Sequence, residues 1–251
     1  MRKERADLLL FQQGLASSRE QAKRLIMAGE VFWSDQAESG QSRRPVEKPG
    51  QLFGAETVFF LREAERFVSR GAYKLLTLIE HCHLDVRDFV CLDAGASTGG
   101  FTDCLLQYGA ARVYAIDVGH HQLHEKLRSD PRVISHEGVN LRNPAPDLVP
   151  EAVDLVVCDV SFISLTLILP PCVRWLKKDG LLAVLIKPQF ELGAGETVRG
   201  VVRDPLARQR ACDKIVQFCH ETLGFCCQTL LPAKIKGPKG NQEFMALFAR
   251  A

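Results

Sequence analysis

Short apolar runs punctuate the middle of the chain at residues 90–92, 113–116, 133–134, 153–158 and 181–186, and four of the five close on a charged residue: Asp93, Asp117, Asp159 and Lys187. Runs this short, bounded by turn or charged residues, read as buried strands. Between them lie longer stretches with helical apolar spacing: 72–80, a segment opening after Gly100, one holding Leu167 and Trp175, and one from Pro205 to Leu223, before a last strand pair. Strands alternating with helices predict an α/β fold with a doubly wound, mostly parallel sheet, whose ligands bind at the carboxyl ends of the strands. The four charged residues therefore share one edge. The N-terminal part has a different pattern. Ala6–Phe11 reads as a short helix stopped by Gly14, Ser17 and Ser18 cap a second helix with Ala22, Leu25 and Ile26 apolar, and Gly29 ends it. Val31–Trp33 and Thr57–Leu61 read as strands around a polar, proline-bearing stretch. This predicts a small domain over 1–62, a linker over 63–70 and a larger domain over 71–251.

Composition narrows the class without naming it. Of 251 residues, 46% are hydrophobic and 25% charged, the balance of an ordinary soluble globular protein. No run approaches 18 consecutive apolar residues, and the N-terminal residues carry no uncharged apolar segment, so a monomeric cytoplasmic protein with no membrane partner is expected. Nine cysteines without a Cys-x-x-Cys pair suit small buried side chains in a reducing compartment, and no metal is called for. A net charge of +2 is too small to announce a nucleic-acid partner, so the distribution of charge decides. Arg19, Lys23 and Arg24 fall on one face of the second helix, with Arg2, Lys3 and Arg5 nearby in sequence. On charge alone that face is as readily solvated as it is functional.

The stretch from Val90 to Asp103 carries the clearest chemistry. A strand ends at Asp93, a turn with Gly95, Gly99 and Gly100 follows, and a helix opens from it. Such a turn lets backbone amides approach a ligand. A dinucleotide fingerprint would place glycine where Ser97 stands, and Asp93 would repel a pyrophosphate. It suits instead a cofactor bearing an ammonium and a sulfonium, as S-adenosylmethionine does. Asp117, ending the next strand, is placed to bind ribose hydroxyls. The expected cofactor residues are Asp93, Gly95, Ser97, Thr98, Gly99, Gly100, Phe101, Asp117, Asn140 and Asp159, with Asn140 in a loop that serves equally as a structural turn. The glycine-rich segment 193–200 reads as a lid or as a plain surface connection, and 234–244 is basic and turn-rich.

Two resemblances add to this reading. Asp7, Leu10, Gly14-Leu15-Ala16, Ser18-Arg19, Ala22, Leu25-Ile26, Gly29 and Val31 resemble the S4 RNA-binding domain, although Trp33-Ser34-Asp35-Gln36 opens a longer loop than that domain usually has. Asp93–Asp103, Asp159–Ser164, Lys187–Glu191, Val201–Pro205 and Gly237–Phe244 resemble the hemolysin A, or TlyA-type, methyltransferases, with Arg199 in place of the usual lysine in a shorter 193–200 loop. The resemblance implies a Rossmann-like class I methyltransferase domain behind a small α+β S4 domain, and methylation of a ribose 2′-hydroxyl in ribosomal RNA. It implies a tetrad of Lys74, Asp159, Lys187 and Glu243, with Lys187 as base, its proton affinity lowered by burial and by Lys74. It also turns Arg5, Arg19, Lys23, Arg24 and Arg70 into expected contacts to ribosomal RNA or ribosomal subunits. A nicotinamide dehydrogenase, a non-catalytic RNA-binding protein with a relic domain, and a membrane-lytic protein remain as rivals.

Overall fold

The computed structural model describes residues 3–34, 43–62 and 66–251. The chain divides into two compact units, 1–65 and 66–251. Asp35, Gln36 and residue 63, to which the loop and linker readings extend, lie outside the described residues, as does Arg2.

The first unit runs β1 (Lys3–Arg5), α1 (Ala6–Gln12), α2 (Arg19–Met27), β2 (Val31–Ser34), β3 (Arg44–Pro45), β4 (Leu52–Gly54) and β5 (Val58–Leu61). Ser18 starts α2 by accepting a hydrogen bond from the Gln21 N–H, which satisfies one of the free amides of the first turn. β3, β2 and β5 form an antiparallel sheet, and β1 pairs with β4. A core of Leu9, Leu10, Ala22, Ile26, Val31, Phe53 and Phe59 joins helices to strands. The strands β1, β3 and β4 are two or three residues long, too short for apolar alternation to reveal them.

The second unit contains α3 (Ala72–Cys82), β6 (Val90–Ala94), α4 (Gly100–Gln107), β7 (Arg112–Ile116), α5 (Glu125–Arg128), β8 (Val133–His136), β9 (Val153–Cys158), α6 (Leu165–Cys172), β10 (Leu176–Ile186), α7 (Pro188–Glu191), α8 (Pro205–Leu223), β11 (Phe225–Pro232) and β12 (Phe244–Arg250). Its sheet has the order β11-β12-β10-β9-β6-β7-β8, parallel except where β12 pairs with β10 and β11. Successive residues of one strand feed opposite cores. Leu155 and Val157 pack with Leu75, Leu78 and Leu105 on one face, while Val156 and Cys158 pack with Leu165, Leu169 and Ile215 on the other. Burial on both faces is why these strands read as near-continuous apolar runs. β10 begins five residues earlier than its apolar run and pairs irregularly with β9 between Leu176 and Leu181. All nine cysteines are free and six are buried, where loss of hydration pushes the thiols up, Cys104 and Cys172 to about 12. Residues 66–69, within the linker read from the sequence, pack with the second unit: Phe67 is buried and the Val68 N–H donates to Asp103 Oδ2 at 2.8 Å.

Candidate functional site

The order of the strands reverses at β6, with β7 on one side and β9 on the other, and there the chain opens a crevice at the carboxyl ends of the strands. Gly95 makes the crevice possible. Its φ is +86°, and a Cβ at this position would lie 2.7 Å from the carbonyl oxygen of Asp159, so the turns after β6 and β9 approach as only glycine allows. A cavity of about 190 Å³ results, lined by Asp93, Gly95, Ser97, Thr98, Gly100, Phe101, Asp159 and Lys187, together with Ser69, Gly71 and Ser161. It shares Gly95, Ser97, Asp159 and Ser161 with a larger cavity of about 540 Å³, whose walls carry Asp117, Asn140, Val118, Leu141, Phe162 and Ile168. Gly99 caps α4 and lines neither cavity.

Asp93 is fully buried. Its Oδ2 accepts hydrogen bonds from the Thr102 N–H at 3.0 Å and hydroxyl at 2.7 Å, while Oδ1 is buried without a hydrogen-bond partner. Burial, and then the charges of Asp159 and Asp117, push its carboxyl up to about 7 against the pull of the Thr102 bonds. A bare, buried carboxylate oxygen at a cavity wall is a receptor for a cation, and an ammonium group fits it. Asp117 Oδ2 accepts from the Ser97 N–H at 2.8 Å and Oδ1 from the Gly119 N–H at 2.7 Å, so it clamps the turn after β6 and keeps second lone pairs for hydroxyls. Asn140 Oδ1 accepts from the Arg142 N–H, which makes it a turn-former first. The residues expected to hold S-adenosylmethionine thus split into a polar end around Asp93 and an apolar end around Asp117, matching an amino-acid moiety and a nucleoside.

The two expected lysines form two buried ion pairs. Lys187 follows β10, and its Nζ lies 2.5 Å from Asp159 Oδ1 and donates to Ser161 Oγ at 2.7 Å. Lys74, in α3, lies 2.6 Å from Glu243 Oε2. Neither carboxylate oxygen receives an aligned hydrogen bond, so contact charge rather than directional bonding holds each pair. Sheet register explains their proximity. Ile186 pairs with Phe244, and one step further along the antiparallel ladder sets Lys187 opposite Glu243. Gly237 closes over Glu243, where a Cβ would stand 2.0 Å from Oε1.

The expected RNA residues fare differently. Arg5 and Arg19 both bind Asp7, whose side chain is fully buried, and Lys23 binds Glu20. Arg24 is exposed with no carboxylate in contact among the described residues, and Arg70 is exposed just before α3. Sequence reasoning passed over Ser69 and Ser161, which line the smaller cavity, and Phe162, in the wall of the larger one. Phe162 is 90% exposed at a left-handed φ of +64°, against Phe190 at 5.1 Å. The only available signal was an aromatic residue in the turn after an acid-terminated strand. Among the described residues no cluster of three or more His, Cys, Asp or Glu is placed to hold a metal, and no helix is long and apolar enough to cross a membrane.

The FtsJ-like methyltransferase family matches residues 67–250 and the S4 domain residues 4–32. The chain is 42% identical over 246 residues to the 16S/23S rRNA (cytidine-2'-O)-methyltransferase TlyA of Mycobacterium tuberculosis, covering 97% of this chain and 88% of that protein. It is 36% identical over 250 residues to Hemolysin A of Brachyspira hyodysenteriae, covering 97% and 99%. Among solved structures, the "Putative hemolysin from Streptococcus thermophilus" superposes with a TM-score of 0.73 at 42% identity, over 100% of this chain and 90% of that one.

Proposed function

Because this chain belongs to the FtsJ-like methyltransferase family and carries an S4 domain at its N-terminus, we propose that it methylates a ribose 2′-hydroxyl of ribosomal RNA, in the cytoplasm where ribosomes are found. The observation that carries the reading is the pair of buried lysine–carboxylate contacts, Lys187 with Asp159 and Lys74 with Glu243, beside a cavity that ends on the bare oxygen of Asp93. The relative from Mycobacterium tuberculosis, named for cytidine-2'-O methylation, supports the choice of substrate.

S-adenosylmethionine supplies an electrophilic methyl group on a sulfonium. Asp93 binds the ammonium end, Asp117 the ribose hydroxyls, and the apolar walls around Leu141 and Ile168 the base. A ribose hydroxyl attacks poorly until its proton leaves, and in this reading Lys187 Nζ takes it. The amine must be neutral at that moment, and Asp159 stabilises the ammonium it becomes. Lys74, held by Glu243, adds positive charge where the hydroxyl oxygen becomes anionic. Phe162 offers a stacking face to a target base turned out of its helix.

Single-turnover transfer of labelled methyl to ribosomal RNA tests this. Lys187→Ala should slow transfer by about 10²-fold to 10⁴-fold with cofactor affinity intact, and Lys187→Arg should not rescue it, because a guanidinium does not give up its proton near neutral pH. Near-normal rates in the arginine variant would reject Lys187 as base. Absence of any methyl transfer by the native protein, with cofactor and RNA both bound, would favour the relic reading instead.

A further inference from the structure

Beside the cofactor cavity lies another concavity, which includes Lys74 and the expected RNA contact Arg70 but whose further cations methyl transfer leaves unassigned. It measures about 430 Å³, shares Gly71 with the cofactor cavity, and is walled by Arg70 and Lys74 on one side and by Lys236, Gly237 and Lys239 on the other. Lys74 is already engaged by Glu243. Arg70, Lys236 and Lys239 are exposed, and among the described residues none has a carboxylate in contact; the neighbouring Lys234, by contrast, pairs with Glu80. Three unpaired cations around one hollow repel each other in the free protein and concentrate positive potential, which an anion relieves.

The turn that presents two of these cations is firmly built. Lys239 adopts a φ of +60°, a left-handed conformation that side chains rarely take. The Gly237 N–H donates to the Asn241 carbonyl at 2.9 Å and the Gly240 N–H to the Gly237 carbonyl at 3.0 Å. Buried Asn241 accepts from the Val202 N–H at 3.0 Å and donates to the Gly200 carbonyl at 2.8 Å, fixing the turn against the 200–202 segment. A strained lysine at the rim of a cation-lined hollow, where glycine would fit without strain, points from backbone geometry to function.

We propose that this concavity is a phosphate subsite, which seats a backbone phosphate beside the ribose presented to the two lysine–carboxylate pairs. Arg70, Lys236 and Lys239 act as positioning residues there. The identity of the anion as RNA rests on the methyl-transfer reading; the subsite itself rests on the hollow and its unpaired cations. Phosphate is also the chemistry of a free inorganic anion, so the test has an arm for each source.

The test compares the native full-length protein with Lys236→Ala/Lys239→Gly, whose second change removes a cation and relieves the backbone, and with the charge-keeping Lys236→Arg/Lys239→Arg. RNA affinity is measured on a ribosomal RNA transcript across a salt series, alongside steady-state methyl transfer, cofactor affinity and thermal melting. For the first variant the slope of log affinity against log salt should fall by about 1 to 2, the share of one or two phosphate contacts. The KM for RNA should rise about tenfold, more than kcat falls, with cofactor affinity unchanged and the melting temperature not lowered, and the arginine variant should keep the native slope. An unaltered slope and KM overturn the subsite while leaving methyl transfer standing. Native protein that binds RNA with the expected slope difference yet transfers no methyl keeps the subsite and rejects the methyl-transfer reading. Displacement of RNA from native protein, but not from the first variant, by low-millimolar inorganic phosphate at constant ionic strength would make this a small-anion site and overturn the proposal.

Discussion

Asp93 holds an electrostatic conflict: a fully buried carboxyl with two bonds from Thr102 on one oxygen and no hydrogen bond on the other, pushed up to about 7 by burial. Since its folded value lies above the ordinary carboxylate value of 3.8, its contribution to stability is complete below about pH 4 and is lost as pH rises through about 7. The full loss amounts to about 4 kcal/mol. A cationic ligand reverses the preference, because it binds the ionised form. The affinity for S-adenosylmethionine should therefore fall by up to tenfold per unit as pH drops below about 7, and the free protein should melt higher at pH 6 than at pH 8. Asp93→Asn should weaken binding and flatten the pH dependence of affinity. Calorimetric titration of both proteins between pH 5.5 and 8 checks this, and an equal slope in the variant would assign the titration to another group.

At the scale of elements, the strand-end acids and the alternation of strands and helices were legible because parallel strands buried on both faces leave unbroken apolar runs, as Leu155 to Cys158 do. The turn at Gly95 was legible as glycine-rich, but its reason, the carbonyl of Asp159 at 2.7 Å from a would-be Cβ, comes from the turn after β9, 64 residues away, and leaves no local trace. The pairing of Lys74 with Glu243 was legible only through family resemblance, for it joins α3 to the residue before β12. The basic face of α2 was read from spacing, which cannot reveal that Arg19 is engaged by a buried Asp7. One turn links local sequence to the tetrad directly. Gly237→Ala would drive a Cβ into Glu243 Oε1, displacing the carboxylate from Lys74 or the turn from its place. The expected result is a loss of roughly 1–3 kcal/mol of stability, the usual cost of overpacking, and slowed methyl transfer with the cofactor still bound. Thermal melting and single-turnover rates measure the two effects, and native values for both would show that the turn yields without consequence.

At the scale of the whole molecule, each unit has its own core. Leu10, Ile26 and Phe59 anchor the first, while one layer on each face of the seven-stranded sheet fills the second, and the cavity at Asp93 is lined by residues of the second unit alone. A unit with its own core can fold by itself. Residues 66–251 expressed alone should therefore bind S-adenosylmethionine as the full chain does, yet, on the proposal that the S4 unit supplies phosphate contacts, hold ribosomal RNA more weakly and with a shallower salt dependence. Within that unit the cations should separate into two kinds. Arg24→Ala, at an exposed side chain with no carboxylate in contact among the described residues, should lower RNA affinity without changing stability. Arg19→Ala should do both, because it removes one of two guanidinium partners from Asp7. Those hydrogen bonds outweigh burial and hold the Asp7 carboxyl below its ordinary value, so the stability they contribute is present above about pH 4 and lost as pH falls through the folded value. Acid melting of Arg19→Ala should accordingly lack part of the native protein's transition. RNA binding by the truncated chain with an unchanged salt slope would move the phosphate contacts wholly onto the catalytic unit and leave the basic face of α2 merely solvated.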